Sequence, residues 1–392
     1  MIAKPYIGIE WVCKIFLVSY LVGIPLLSRT TLSPVVTGIG ICLSVILLCV
    51  ILLKAKLPFS ISSWVGLSFF ACFGIVVYVG HFDVDAPVGH RAIAVVYLIL
   101  IGFGVAAYVA KWGPNDVLKY LVIGVSVGSI WALVTAGNIV DIRSSTPFGG
   151  AINQYGSLIG FAVFGSLYLS DRGTNKRSAQ WVWMLVAVGL SVMSVLIGSR
   201  QSLILCVIAW GYYIGFSPAR IILVGIISYP IFMFAAEMEV YIVERINSLL
   251  AIWFGLGETG EQSIPLRMAL LSAAIEGWAQ RPLVGHGVQA FQYFAGFGIY
   301  THMNYTELLF NHGIIGFFLY YIAPAGILLM VLSKRNKVRK DVVHVVVFVV
   351  MYSLVRDAFI VTYHDHLTWV VYGLLVGLMS YRGRKRMNRE PT

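Results

Sequence analysis

Apolar runs about 20 residues long, separated by short polar stretches, recur along the whole chain. Runs of that length cross the hydrocarbon core of a membrane as helices, whereas a barrel would show alternating segments of about ten residues. The pattern predicts twelve spans, at 7–27, 35–53, 61–80, 92–110, 117–140, 152–170, 181–198, 202–216, 220–236, 304–332, 341–356 and 367–381. One of them begins against type. The stretch THMNYTELLFNHGIIGFFLYY, from Thr301 to Tyr321, finishes apolar but opens with histidines, asparagines and a glutamate. On a helix, Asn304, Glu307 and Asn311 fall at i, i+3 and i+7 and share one face, with His302 just before the first turn. Such a face would project together near the outer surface and wall a site there, while the lower half only has to span.

The fold expected is therefore all-α: a polytopic transmembrane bundle of about 12 spans, forming one integral membrane domain over 1–392. Within it, 237–301 is a long outer loop, and loops of about 65 residues inside compact domains are usually functional. Part of it, PLRMALLSAAIEGWAQRPLVG, has helical spacing, with Leu266, Leu270, Ala273 and Ala274 on one face and Pro282 as the stop. This helix is expected to lie across the outer mouth. Two other outer segments are unusual, DIRSSTPFGGAINQYG and RDAFIVTYHDH.

Composition agrees with the pattern. Of 392 residues, 59% are hydrophobic and 11% charged, against about 25% charged in soluble proteins. The net charge of +11 raises the question of nucleic acid, but the placement of the basic residues answers it. With the N-terminus inside, the inner loops and tails hold 19 of the 28, including SKRNKVRK and YRGRKRMNRE; Lys14 lies in the first span and the other eight lie outside. That bias puts both termini in the cytoplasm and makes the basic tail a topology signal and a contact for anionic lipid among the membrane lipids, with no nucleic acid needed. Nothing near residue 30 resembles a small-residue cleavage site, so the first span should be retained. All five cysteines fall inside predicted spans, where they read as packing residues, and no CxxC or HExxH metal signature occurs.

All eight outer basic residues are arginines: Arg29, Arg91, Arg143, Arg200, Arg245, Arg267, Arg281 and Arg356. The guanidinium keeps its charge and its planar fork matches phosphate, so such a set suits a diphosphate headgroup. Arg29, Arg91, Arg245 and Arg281 read more simply as helix-end or lipid contacts. Arg200 differs, because MSVLIGSRQSLILCV leaves hardly any loop around it; an arginine there is costly unless paired or facing a cavity. Arg267, expected in the first turn of the outer helix, is poorly placed for a cation by the helix dipole. A bound anion would account for it, as would a salt bridge to Glu258 or Glu261. His302 beside a carboxylate is a candidate base; His312, deeper, reads as structural.

These residues resemble the O-antigen ligase and polysaccharide polymerase superfamily, the Wzy_C-type membrane glycosyltransferases. IGSRQSL looks like the family's Ser-Arg element, RMALLSAAIEGWAQRPLVGHGVQAF like its Arg, Trp, Pro-Leu-x-Gly-x-Gly helix and turn, and HMNYTELLFNHGIIGFFLYY like its His-led span. STPFGGAINQYGSLIGFAVF is a weaker fourth block. Together they cover roughly 140–335. The resemblance implies a class C glycosyltransferase of the bacterial inner membrane, working at the periplasmic face without metal or cofactor. Its donor would be an undecaprenyl-diphosphate-linked glycan and its acceptor a lipid-linked repeat or lipid A-core, with a chain-length regulator as a further partner. Carried over, Arg200 and Arg267 would hold the diphosphate and His302 would activate the acceptor hydroxyl; Glu307 is the alternative base. Arg143, Asn304, Trp278, Arg356 and His364 complete the candidate substrate-binding set. One departure is that the family's His-Asn pair is His302-Met303 here, with Asn304 next. The chemistry fits: fixed cations stabilise a departing diphosphate, and imidazole is a suitable base near neutral pH.

The wording ELLFNHGIIGFFLYY is closer to polymerases of surface polysaccharide than to ligases. A transporter or flippase is the reading from another class, disfavoured because the long loop follows span 9 and the polar cluster lies at the surface, not the midplane. Metal chemistry at TYHDHLTW is a third, since His364, Asp365 and His366 are adjacent, but zinc needs four tetrahedral ligands.

Overall fold

The computed structural model describes residues 6–27, 35, 38–42, 45, 60–80, 89–136, 152–173, 177–214, 263–294, 298–335 and 338–381, with some side chains excepted, those of Arg91, Arg200 and Arg267 among them. Among the described residues all regular structure is helical. In chain order the helices are α1 (Tyr6–Leu27), α2 (Ile61–Gly80), α3 (Gly89–Trp112), α4 (Asn115–Thr135), α5 (Ile152–Tyr168), α6 (Arg177–Ile197) and α7 (Arg200–Ile214). They continue as α8 (Ser263–Gln280), α9 (Ala290–Phe294), α10 (Asn304–Ser333), α11 (Lys340–Asp357) and α12 (His366–Leu378). A π-helical turn, Leu169–Gly173, extends α5. Each predicted span coincides with a helix to within a few residues, except 35–53, largely outside the described residues, and 220–236, wholly outside them.

Among the described residues, Ile61–Val79, Ala92–Trp112, Asn115–Thr135, Arg177–Ile197 and Asn304–Ser333 are long and apolar enough to cross a membrane; Trp11–Leu26, Gln201–Ile214 and His366–Leu378 are shorter apolar helices. Trp64, Trp131 and Trp181 are exposed near helix ends, where amphipathic rings favour the membrane–water boundary.

Packing joins α3 to α12, α5 to α6 and α7, α1 to α4, and α2 to α10. The α3–α12 seam is made by small residues. A Cβ on Gly377 would lie 2.6 Å from the carbonyl oxygen of Ala106, and one on Gly373 would collide with that of Gly102. Without lipid-exclusion energy to drive helices together, such backbone approach is the main source of close packing. Beside the seam Phe70 stacks on Tyr372 at 5.2 Å, and Phe73, Tyr320 and Trp369 close the interior.

The helix predicted within 237–301 forms, as α8, and lies on α10. Leu270 and Ala274 are buried against Phe310, whereas Leu266, expected on the same face, is exposed. The partners Ala290, Phe291 and Phe310 cluster with Leu270, Ala273 and Ala274, one turn and more beyond Leu266. Because α8 starts at Ser263, Arg267 stands one turn in, past the first turn where it was expected.

The span over 304–332 is not one continuous helix. Gly313 has φ 60° and ψ −167°, which breaks α10. The turn after α8 fills the break: His286 and Gly287 N–H donate to the carbonyls of Phe310 and Asn311 (2.9 and 2.7 Å), and Ile314 and Ile315 N–H donate to those of Pro282 and Leu283 (2.8 and 3.1 Å). Each of these bonds replaces an intrahelical one, so the carbonyls of Phe310 and Asn311 and the N–H groups of Ile314 and Ile315 stay paired in an apolar setting. Gly285 (φ 71°) and Gly313 permit the contact, since a Cβ on Gly285 would lie 2.5 Å from the backbone of Asn311 and one on Gly313 would strike the carbonyl of Leu283.

Candidate active site

The first turn of α10 is built by its own acid. Met303, the N-cap, offers no side-chain cap; instead Glu307 accepts from the N–H of Thr301 (2.8 Å), while the Thr301 hydroxyl donates to the Met303 carbonyl (2.8 Å). This clasp holds His302 between them. Its φ is 61°, a value shared among the described non-glycine residues only by Gln289. A side chain in the left-handed region is uncommon, and such positions gather at functional sites. The imidazole is half-buried, 4.4 Å from the ring of Tyr300 between centroids.

Behind His302, the polar face meets protein. Asn304 is the hub: its amide donates to Tyr321 Oη and Asp357 Oδ2 (both 3.1 Å), and its oxygen accepts from the N–H groups of Thr362 and Tyr363 (2.9 and 3.2 Å). Asp357 also accepts from the hydroxyls of Tyr321 and Thr362, both at 2.6 Å. Asn311 donates to Glu307 (3.0 Å) and to Tyr363 Oη (3.2 Å) and accepts from the Phe291 N–H (3.1 Å). The shared face of Asn304, Glu307 and Asn311 is as expected; its surroundings are not. All three are buried, and buried polar groups need partners, so these side chains bind the 357–363 corner and the α9 segment and do not form an open wall.

Arg356 is also inside. At 2% exposure, it donates to Ser157 (3.1 Å) and Thr368 (2.8 Å) and pairs with Asp365. Expected in the substrate-binding set, it is shown tying α11 to α5 and α12. Asp365 in turn caps α12 through the Leu367 N–H. His366 shares a hydrogen bond with Tyr20 Oη (3.0 Å), and His364, half-buried, lies beside the ring of Tyr363. The three adjacent residues thus diverge, and no group of three metal-ligating side chains converges among the described residues.

The Ser-Arg element joins the same corner. Ser199 caps α7, accepting from the Ser202 N–H (3.4 Å), and donates to Asn153 Oδ1 (3.2 Å) one turn from Ser157. Arg200 is the first residue of α7. Its side chain, that of Arg267 and all of Arg143 lie outside the described residues. Trp278, half-buried, donates to the Pro282 carbonyl (3.1 Å) and braces the turn that fills the α10 break.

Sequence reasoning missed Asp357, Thr362 and Tyr321. The one signal for Asp357 was an acid ending the apolar run VVVFVVMYSLVRD. It also missed Gln201, which is 1% exposed and has no hydrogen-bond partner for either amide atom among the described residues. No protein-family model matches the chain, and no curated protein matches it.

Proposed function

We propose that the protein is a membrane glycosyltransferase that moves a polyprenyl-diphosphate-linked glycan onto an acceptor sugar, as a polymerase of surface polysaccharide. The observation that carries this reading is the convergence of segments far apart in sequence. Ser199 bonds to Asn153, Ser157 to Arg356, Asn304 to Asp357 and Thr362, and the Pro282–Gly287 turn to Asn311 and its neighbours. The four blocks that suggested the reaction thus form one corner at one end of the bundle. Their internal bonds make it a rigid scaffold, which is what a site working by fixed charge requires.

In this reading the corner faces the periplasm, with both termini inside and twelve spans in all. Arg200 and Arg267 hold the diphosphate and stabilise its charge as the C1–oxygen bond breaks. His302 takes the proton of the attacking hydroxyl, in a single displacement that inverts the anomeric centre. Asn304, Glu307, Trp278 and Arg356 position this machinery from behind, through the bonds given above. Arg143 and His364 are the remaining candidates for glycan contact.

Arg200→Ala, Arg267→Ala and His302→Ala should each abolish polymer while leaving the protein inserted; wild-type glycan from all three sinks the proposal. Gel analysis of surface glycan after deletion of the gene separates the acceptors. Lipid capped by a single repeat marks a lost polymerase, and bare core marks a lost ligase. Conversion of lipid-linked repeats by purified protein in detergent, with no gradient, disposes of a carrier.

A further inference from the structure

The other end of the bundle carries a second assembly. From His366 at the polar corner, α12 runs to Leu378, and just beyond it Tyr381 lies on the α3–α4 turn, where a Cβ on Gly113 would sit 2.8 Å from its ring. The guanidinium of Arg339, N-cap of α11, stands 5.5 Å from the centre of the Tyr381 ring. Across the turn, Lys111 lies 4.4 Å over the ring of Trp112, which is 4.7 Å from that of Tyr108. Tyr108 donates to Asp116 (2.8 Å), Lys14 faces the same carboxylate at 3.7 Å, and Lys119 lies 5.7 Å over Tyr120. Lys14, Lys111, Lys119 and Arg339 come from four segments. Asp116 is the one acid in these contacts among the described residues.

We propose that this turn binds the phosphate headgroup of an anionic phospholipid. Lys111 and Lys119 are exposed, so their charge is open to a ligand, and each ammonium group lies over a ring face. Rings interleaved with cations at the end of apolar helices belong at headgroup depth. A lipid, and not a soluble anion, is indicated by what flanks Lys14. Trp11 and Ile15 are both exposed on α1, giving acyl chains an apolar surface directly beside the charge. The site is independent of the glycosyl-transfer reading.

The test is thermal unfolding of the full chain in a neutral detergent, followed by tryptophan fluorescence, during titration with phosphatidylglycerol or cardiolipin. The unfolding temperature should rise saturably with these lipids and not with phosphatidylcholine or with millimolar inorganic phosphate. Lys111→Gln with Lys119→Gln should weaken the apparent lipid affinity on the order of 30-fold, each lysine near the surface being worth about a factor of five. The control pair Lys334→Gln with Arg335→Gln removes equal charge from exposed positions at the same end of the bundle, after α10, and should retain the response. Equal loss in both pairs would show diffuse surface attraction and overturn the site. So would no shift in the wild type, a full shift in the Lys111/Lys119 pair, or a shift reproduced by phosphate alone.

Discussion

Glu307 reaches back over the start of its own helix to accept a hydrogen bond from the backbone of Thr301, at 2.8 Å. Its carboxylate therefore addresses the peptide next to His302, while its other oxygen holds Asn311. A side chain occupied in this way suits positioning better than proton transfer. Glu307→Gln, which keeps an acceptor for Thr301, should reduce turnover far less than loss of the imidazole. Glu307→Ala strands a buried N–H and a buried amide and should cost about 2 kcal/mol or more, read as a lower unfolding temperature. A dead Glu307→Gln beside an active His302→Ala would reverse the roles.

The backbone of His302 offers a cleaner variant than alanine. Asn tolerates the left-handed region better than most residues, so His302→Asn should unfold like the wild type and still make no polymer. His302→Ala should lose activity and also about 1 kcal/mol of stability. Donor binding should survive in both, whereas Arg200→Ala weakens donor binding itself. Retained turnover in His302→Asn would remove the imidazole from the chemistry.

Arg356 should behave as a structural ion. Breaking a buried pair by removing one partner costs about 3–5 kcal/mol, so Arg356→Ala should be strongly destabilised, with normal donor affinity in whatever fraction folds. A variant of wild-type stability that fails to bind donor would restore Arg356 to the substrate.

Two left-handed glycines give a matched comparison. Gly285→Ala drives a Cβ into the backbone of Asn311, while a Cβ on Gly298 (φ 67°) would meet nothing within 4 Å among the described residues. Gly298→Ala should cost about 1 kcal/mol, the backbone strain alone; Gly285→Ala should cost at least twice that and detach the turn from the α10 break. Similar losses in both would mean that the turn contributes little.

Gln201 makes the opposite kind of prediction. Replacing a buried amide that has no partner among the described residues by an apolar group of similar size removes a desolvation penalty of about 1–3 kcal/mol, so Gln201→Leu should raise the unfolding temperature. A fall instead would show that the amide is satisfied in solution.

Much of this was legible along the chain, and the limits have a physical cause. The period of the apolar runs placed the helices, and the spacing of Asn304, Glu307 and Asn311 placed them on one face, because both depend on local geometry. What that face meets depends on Asp357, Thr362 and Tyr363, more than 50 residues later, and no local pattern encodes the pairing. The same holds for Arg356, whose partners Ser157 and Asp365 lie on other elements. The break at Gly313 was hidden for a different reason: hydropathy is blind to it, and the docked turn that makes it tolerable is itself distant in sequence. Leu266 failed because periodicity defines a stripe without saying where its partner ends.

The glycine seam between α3 and α12 limits how anything bound by the polar corner can arrive. Where the carbonyls of Gly102 and Ala106 press on the backbone of Gly373 and Gly377, no acyl or isoprenoid chain can slide between the two helices. Because α12 is buried from Leu367 to Leu378, this seam closes the interior of the bundle. Lateral traffic from lipid to the corner has to pass through a different gap.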